Sequence, residues 1–468
     1  MNFVSLVFVV FYPVVLVLYH LLHRRLFLQN LLVLAANLFF YGWWNWRFLG
    51  LLVCSACIDY AAARVIDTSD RSHVRRLALV ISVGSRLAVL FLFKYFDFFA
   101  RSLEGLLSCL GLHAMLPTLG WVLPLGISFY TFQSIAYVVD VYRGQTRAEK
   151  NLVAYLAFIS FFPLLAAGPI ERASHLLTQF QTPRTLTLAG VRAGLWLMAE
   201  GFFLKVVVAD GIAPLVRTSF CNDPHYGWHV ILGTLAFGLQ IYGDFNGYST
   251  IAKGAAGLLG FDLVWNFNRP YAALSIQDFW RRWHISFSRW ILDYLFMPLL
   301  MRWRDWRVLG TAAALTVTFL LSGLWHGANW TFIVWGAIHG AAMVSHYVWT
   351  THRGRKAGLP RPLAWALTMT VVFVGWFFFR AENWTMVQGM ASALTNWRWT
   401  EGHTALGLTL AGLACPVVFL ELVQAYHCDR LFFVRGSTWR FSLSAGLLAA
   451  TAWAMTGHEG AQFIYFKF

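Results

Sequence analysis

Residues 309–327 read Leu-Gly-Thr-Ala-Ala-Ala-Leu-Thr-Val-Thr-Phe-Leu-Leu-Ser-Gly-Leu-Trp-His-Gly. The run carries no charge until its end and approaches the roughly 20 residues an α-helix needs to cross the hydrocarbon of a bilayer. Its last turn carries a histidine, His326, between Gly323 and Gly327. Working outward, apolar runs of the same kind occupy residues 4–22, 77–100, 122–142, 330–349 and 363–379. Hydrophobic residues make up 59% of the 468 and charged residues only 12%, about half the charged share of a soluble domain. A transmembrane barrel would show short alternating segments instead. The expected fold is an all-α polytopic membrane protein with about twelve transmembrane helices, supplemented by short re-entrant and interfacial helices. The first run has neither a basic leader nor a small-residue cleavage site, so it is expected to remain as a helix.

Basic loops at residues 23–25, 64–76, 143–150, 353–361 and 430–435 are expected on the cytoplasmic side, which directs both termini to the periplasmic side. The net charge of +15 is spread over these short loops, which suits anionic lipid headgroups and not nucleic acid. Cys54 and Cys57 lie in an apolar run with no second pair at zinc spacing, so neither a metal site nor a disulfide framework is implied. No second domain and no internal repeat is evident, which disfavours a transporter built from inverted repeats. A single domain over residues 1–468 is expected.

Two stretches depart from the apolar texture. Between residues 162 and 181, Pro163, Gly168 and Pro169 break any regular helix, and such backbone survives at membrane depth only where protein or a water-filled cavity covers it. Between residues 243 and 298, Asp244, Asn246, Asn266, Asn268, Arg269, Asp278, Arg281, Arg282 and Asp293 crowd together, as expected of short helices lining a cavity or funnel. A second histidine falls here, in Arg281-Arg282-Trp283-His284. At helical spacing it shares a face with Trp280, Trp283, Phe287 and Trp290, while the arginines lie opposite.

Histidines within a membrane are functional candidates by default, because burying a titratable ring there is costly. A histidine with a reference pKa near 6.5 accepts a proton at neutral pH, and a well-placed general base contributes roughly a hundred- to ten-thousand-fold. Acyl transfer from a thioester to a hydroxyl needs that proton transfer, polarisation of the carbonyl and exclusion of water. Proton relay through a transporter would use the same residue type, and spacing alone leaves both readings open. Packing roles stay open too: His284 as a hydrogen-bonded ring in an aromatic core, His326 at a helix junction, the arginines as lipid anchors. Asn329, one turn beyond His326, is placed to orient its ring, while His339 and His346 follow Trp335 at helical spacing and read as structural.

The sequences Gln240-Ile241-Tyr242-Gly243-Asp244-Phe245-Asn246-Gly247-Tyr248-Ser249, Asn266-Phe267-Asn268-Arg269-Pro270-Tyr271, Arg281-Arg282-Trp283-His284-Ile285-Ser286 with Asp293-Tyr294-Leu295, and Ser322-Gly323-Leu324-Trp325-His326-Gly327-Ala328-Asn329-Trp330 resemble the membrane-bound O-acyltransferases. Residues 124–129 and 167–170 extend the likeness over nearly the whole chain, toward the bacterial alginate O-acetyltransferase branch. The resemblance implies a central funnel, with His326 as the principal catalytic histidine and His284 as its support. It implies acetyl-CoA as a donor substrate and no tightly bound cofactor, with Arg281, Arg282, Trp325 and Asn329 as donor-binding candidates. Acetyl groups would pass outward across the bacterial inner membrane to a periplasmic esterase-like acetyltransferase that modifies an alginate-like polysaccharide. Sister members take D-alanine from a carrier-protein thioester, which stands as the alternative donor chemistry. Asn246 stands where the alginate branch is expected to have serine, and the arginine expected just before Asp293 is missing. The tail 458–468 contains Phe463-Ile464-Tyr465-Phe466, similar to the end of a small peptide that works with the D-alanylating relatives; Tyr465 is thereby a candidate acyl relay.

Overall fold

The computed structural model describes residues 1–165, 168–221, 226–353 and 358–455, and all regular structure among them is helical. Among the described residues five segments are long and apolar enough to cross a membrane: Leu26–Thr68, Ser72–Cys109, Arg304–His326, Arg361–Arg380 and Glu401–Tyr426. This is fewer than the about twelve crossings that the apolar runs suggest by length. The first two, at 43 and 38 residues, are far longer than one crossing needs, and the first is broken by the 3-10 turn Trp46–Phe48. Other helices are shorter, like Leu6–Leu21, or carry polar side chains inward, like the 32-residue Gly227–Leu258 with Asp244 buried.

The chain forms two compact units. The first comprises Met1–Val191 and Ala255–Val264. Its helices Leu49–Thr68 and Ser72–Leu90 are locked by Asp59 and Arg86, both buried, with Ser82 Oγ donating to Asp59 at 2.6 Å and Arg86 Nη1 donating to Ser55 Oγ at 2.7 Å. Breaking such a pair strands a charge in an apolar interior, at a cost of about 3–5 kcal/mol. The apolar run 122–142 becomes helical only from Ile127, because Gly126 takes a left-handed φ of 68°. A Cβ there would lie 2.2 Å from the Leu165 carbonyl oxygen. The Pro-Gly stretch after residue 162 is broken, as its composition predicts: the helix Phe162–Leu165 spans four residues, and among the described residues the next regular element is the 3-10 turn Leu177–Phe180.

The second unit comprises Arg192–Gly254 and Trp265–Phe468 and holds both candidate histidines. Lys205, in the π-helical segment Phe203–Asp210, is buried between Asp210 at 2.6 Å and Asp244 at 2.8 Å, which ties that segment to the helix Gly227–Leu258. The helices Arg307–His326 and Trp330–Arg353 form a tight hairpin. Its closeness depends on Gly323 and Gly327: an added Cβ would meet the Phe332 carbonyl oxygen at 2.3 Å and the Phe332 ring at 2.2 Å, respectively.

Candidate active site

The single amphipathic helix expected around His284 is in fact two. Ile276–Arg282 starts at Ser275, whose side chain accepts the Asp278 amide, and stops where Trp283 turns extended. His284 then takes a left-handed φ of 43°, and Ile285–Ile291 begins. Non-glycine residues avoid this conformation because Cβ crowds the following carbonyl, at about 1–2 kcal/mol. Here the break is held by a strand-like pairing with residues 266–268: Asn268 N donates to Arg282 O and Ile285 N to Asn266 O, each at 2.8 Å.

The same Asn266 holds the histidine itself. His284 Nδ1 lies 3.1 Å from Asn266 Oδ1, which also accepts from Ser286 Oγ at 2.9 Å, while Asn266 Nδ2 donates to Ser249 Oγ at 3.3 Å. With its amide nitrogen turned to Ser249, Asn266 presents an acceptor to the imidazole, which places the ring proton on Nδ1 and leaves Nε2 as the basic nitrogen. Asn266 lies in a polar stretch and in a family motif, neither of which marks it for this role.

The structure brings the two histidines to one aromatic cluster. His284 is 0% exposed and His326 4%. The Phe287 ring lies between them, with its centroid 4.9 Å from His284 and 5.6 Å from His326, and stacks on Trp325 at 4.2 Å. His326 is further enclosed by Trp335 at 4.8 Å and Phe379 at 5.2 Å. His339, read from the sequence as structural, sits one ring away, 4.8 Å from Trp335 and 5.2 Å from Trp280.

Not every candidate belongs to this cluster. Asn329 does not orient His326: its Oδ1 accepts the Thr331 amide at 3.1 Å, and its Nδ2 donates to Glu382 O at 2.8 Å. It starts the helix Trp330–Arg353, as suits an asparagine after a helix break, and pins that start to Glu382. Arg282 turns back to Asp278, 2.8 Å away, along its own helix. Arg281 instead lines a cavity of about 850 Å³ that also carries Arg289, Phe287 and Ser322. Trp325 is part of the ring stack. Tyr465 lies outside the described residues.

The sequence model for the membrane-bound O-acyltransferase family matches residues 148–388, a span that takes in both histidines, Asn266 and the Arg281 cavity. The chain belongs to the membrane-bound O-acyltransferase family. Similar relatives include the probable alginate O-acetylase AlgI of Azotobacter vinelandii, 41% identical over 92% of this chain and 87% of its own length. The Pseudomonas aeruginosa protein of the same name is 39% identical over 92% of this chain and 82% of its own length. A peptidoglycan O-acetyltransferase of Helicobacter pylori is 35% identical over 76% and 71%. This member of the family is a membrane O-acyltransferase, and its relatives make O-acetyl transfer the reaction class.

Proposed function

We propose that the protein takes acetyl groups from cytoplasmic acetyl-CoA and passes them outward for O-acetylation of an alginate-like extracellular polysaccharide, with His326 as general base and His284 as its support. The observation that carries this reading is the cavity of about 850 Å³ whose wall includes Arg281 and Arg289 and whose Phe287 packs against both imidazoles. Arginines suit the phosphates of CoA, and the apolar lining between them and the rings suits a pantetheine arm delivered away from water. His326 takes the proton of an acceptor hydroxyl, whose oxygen attacks the thioester carbonyl. The carbon–sulfur bond then breaks, and the proton passes to the departing sulfur, so no net proton is consumed. His284, with Nδ1–H engaged by Asn266, presents its other nitrogen to the cluster and holds the polarity of the site fixed.

In this reading the chain crosses the inner membrane about twelve times with both termini periplasmic. Tyr465 takes the acetyl group transiently and gives it to a periplasmic esterase-like acetyltransferase. The family resemblance and the aromatic tail support that relay. His326→Ala is expected to reduce polysaccharide acetylation by about a hundredfold or more while folded protein remains in the membrane; acetylation near the parent level removes the catalytic assignment. Intact mass after incubation with acetyl-CoA is expected to show an acetyl adduct that Tyr465→Phe loses, and an unchanged adduct removes the relay. Failure to form an adduct from acetyl-CoA alone, with formation restored by an acyl carrier thioester, would move the donor to the carrier class.

A further inference from the structure

A second cavity, of about 270 Å³, lies elsewhere in the second unit, bounded by residues of Leu188–Phe202, Gly227–Leu258 and Glu401–Tyr426. Its chemistry is unlike that of the first. Glu200, Glu421, Arg269 and Arg430 all line it, and among the described residues no salt bridge joins either acid to either base. Among the described residues the donors to the acids are neutral: Gln424 Nε2 donates to Glu200 at 3.2 Å, and the Tyr242 hydroxyl donates to Glu421. The Arg430 guanidinium rests 4.6 Å over the Trp265 ring. Opposite charges in a poorly solvated wall attract strongly when nothing separates them. Here the four line one cavity without a salt bridge between them.

A guest that complements such a wall carries both signs. A wholly anionic molecule, such as the phosphate-rich end of an acyl-CoA, would meet two carboxylates, and a simple cation would meet two guanidinium groups. An ammonium bearing N–H donors can bind both carboxylates, whereas a quaternary ammonium has no proton to donate. Phosphate is matched by arginine. Cys428, Asp429 and Arg430 of the cavity lining lie just past the end of Glu401–Tyr426, and Asp429 pairs with Arg435 at 3.2 Å. That helix is one of the five membrane-crossing candidates, and its Val418, Phe419 and Leu422 are exposed. A helix that crosses the bilayer ends at the depth of lipid headgroups, so the lining residues just past Tyr426 are placed to meet them.

We propose that this pocket holds the phosphoethanolamine headgroup of one bilayer phospholipid, its ammonium at Glu200 and Glu421 and its phosphate at Arg269 and Arg430. The lipid braces the active site from behind. Arg269 stands three residues after Asn266, in a left-handed conformation with φ of 48°, and Asn266 is the residue that holds His284.

The test is native mass spectrometry of the full-length protein in detergent, equilibrated with phosphatidylethanolamine, phosphatidylcholine and phosphatidylglycerol of matched acyl chains. One phosphatidylethanolamine is expected to be retained with a preference of about tenfold over each of the others, the loss expected for one hydrogen bond to a charged group. Glu200→Gln with Glu421→Gln is expected to reduce that preference to parity with phosphatidylcholine, and Arg269→Gln with Arg430→Gln to weaken phosphatidylethanolamine retention. Equal retention of the three lipids by the unaltered protein, or a preference for phosphatidylglycerol, overturns the proposal without recourse to any variant. Displacement of the lipid by an equal concentration of glycerophosphoethanolamine overturns the membrane source in favour of a soluble one. Because the readout is lipid retention, it is independent of whether acetyl transfer proceeds as proposed.

Discussion

The two histidine junctions solve the same problem in different ways. His326 closes a 20-residue helix that runs without a break from Arg307, and the turn beyond it is made possible by glycines packed on Phe332. His284 stands between two seven-residue helices, in a left-handed conformation held by backbone pairing to residues 266–268. Long-helix geometry delivers a side chain by rise per residue alone. A broken segment needs a partner strand to hold it, and that partner can carry a second hydrogen bond to the ring. The junction at His284 is therefore a two-segment device, and the one at His326 is built from neighbours in sequence.

The sharpest way to break this comparison is at His326. His326→Ala is expected to lower acetyl transfer by roughly a hundred- to ten-thousand-fold, as befits loss of a general base, with melting temperature and membrane level near those of the parent. The next largest effect is expected at Asn266→Ala, which removes the acceptor from Nδ1 and lets the His284 ring choose its tautomer. Activity should fall by about ten- to a hundredfold, and Asn266→Asp, which keeps an acceptor there, should recover part of it. A mere packing role for Asn266 would give equal losses in both variants. His284→Asn separates ring from backbone, since asparagine tolerates the left-handed region. Activity should drop while thermal stability holds, whereas His284→Val should also cost about 1–2 kcal/mol in unfolding. On the other side of the comparison, Gly323→Ala is expected to destabilise by about 1–3 kcal/mol through its clash with the Phe332 carbonyl, measured by thermal unfolding in detergent. The smallest effect is expected at Arg281→Gln: a several-fold rise in KM for acetyl-CoA with little change in kcat, where an equal fall in kcat would place the residue nearer the reacting atoms.

Apolar runs mapped directly onto helices where nothing interrupts them. Residues 309–324 lie within Arg307–His326, and residues 363–379 within Arg361–Arg380. The break at His284 was not legible, because the aromatic spacing from Trp280 to Trp290 continues through it at helical period, and a left-handed histidine has no compositional mark. Asn329 misled for a related reason. One turn beyond His326 looks like reach along a helix, but the helix ends at His326, and the side chain serves the next one. The pocket around Glu200 and Arg430 was invisible in sequence, since its five charged residues come from three distant stretches.

By itself the sequence determined that this chain is a helical membrane protein, that His284 and His326 are its foremost chemical candidates, and, through its motifs, which family it joins. Those conclusions rest on local quantities: run length, charge sparsity and motif order. The tertiary structure alone decided that Phe287 and Trp325 bring the two rings into one cluster, that Asn266 sets the orientation of His284, and that Arg281 faces a cavity while Arg282 turns back to Asp278. Distances between segments arise from packing and hydrogen bonds made across the fold, and no periodicity along the chain encodes them.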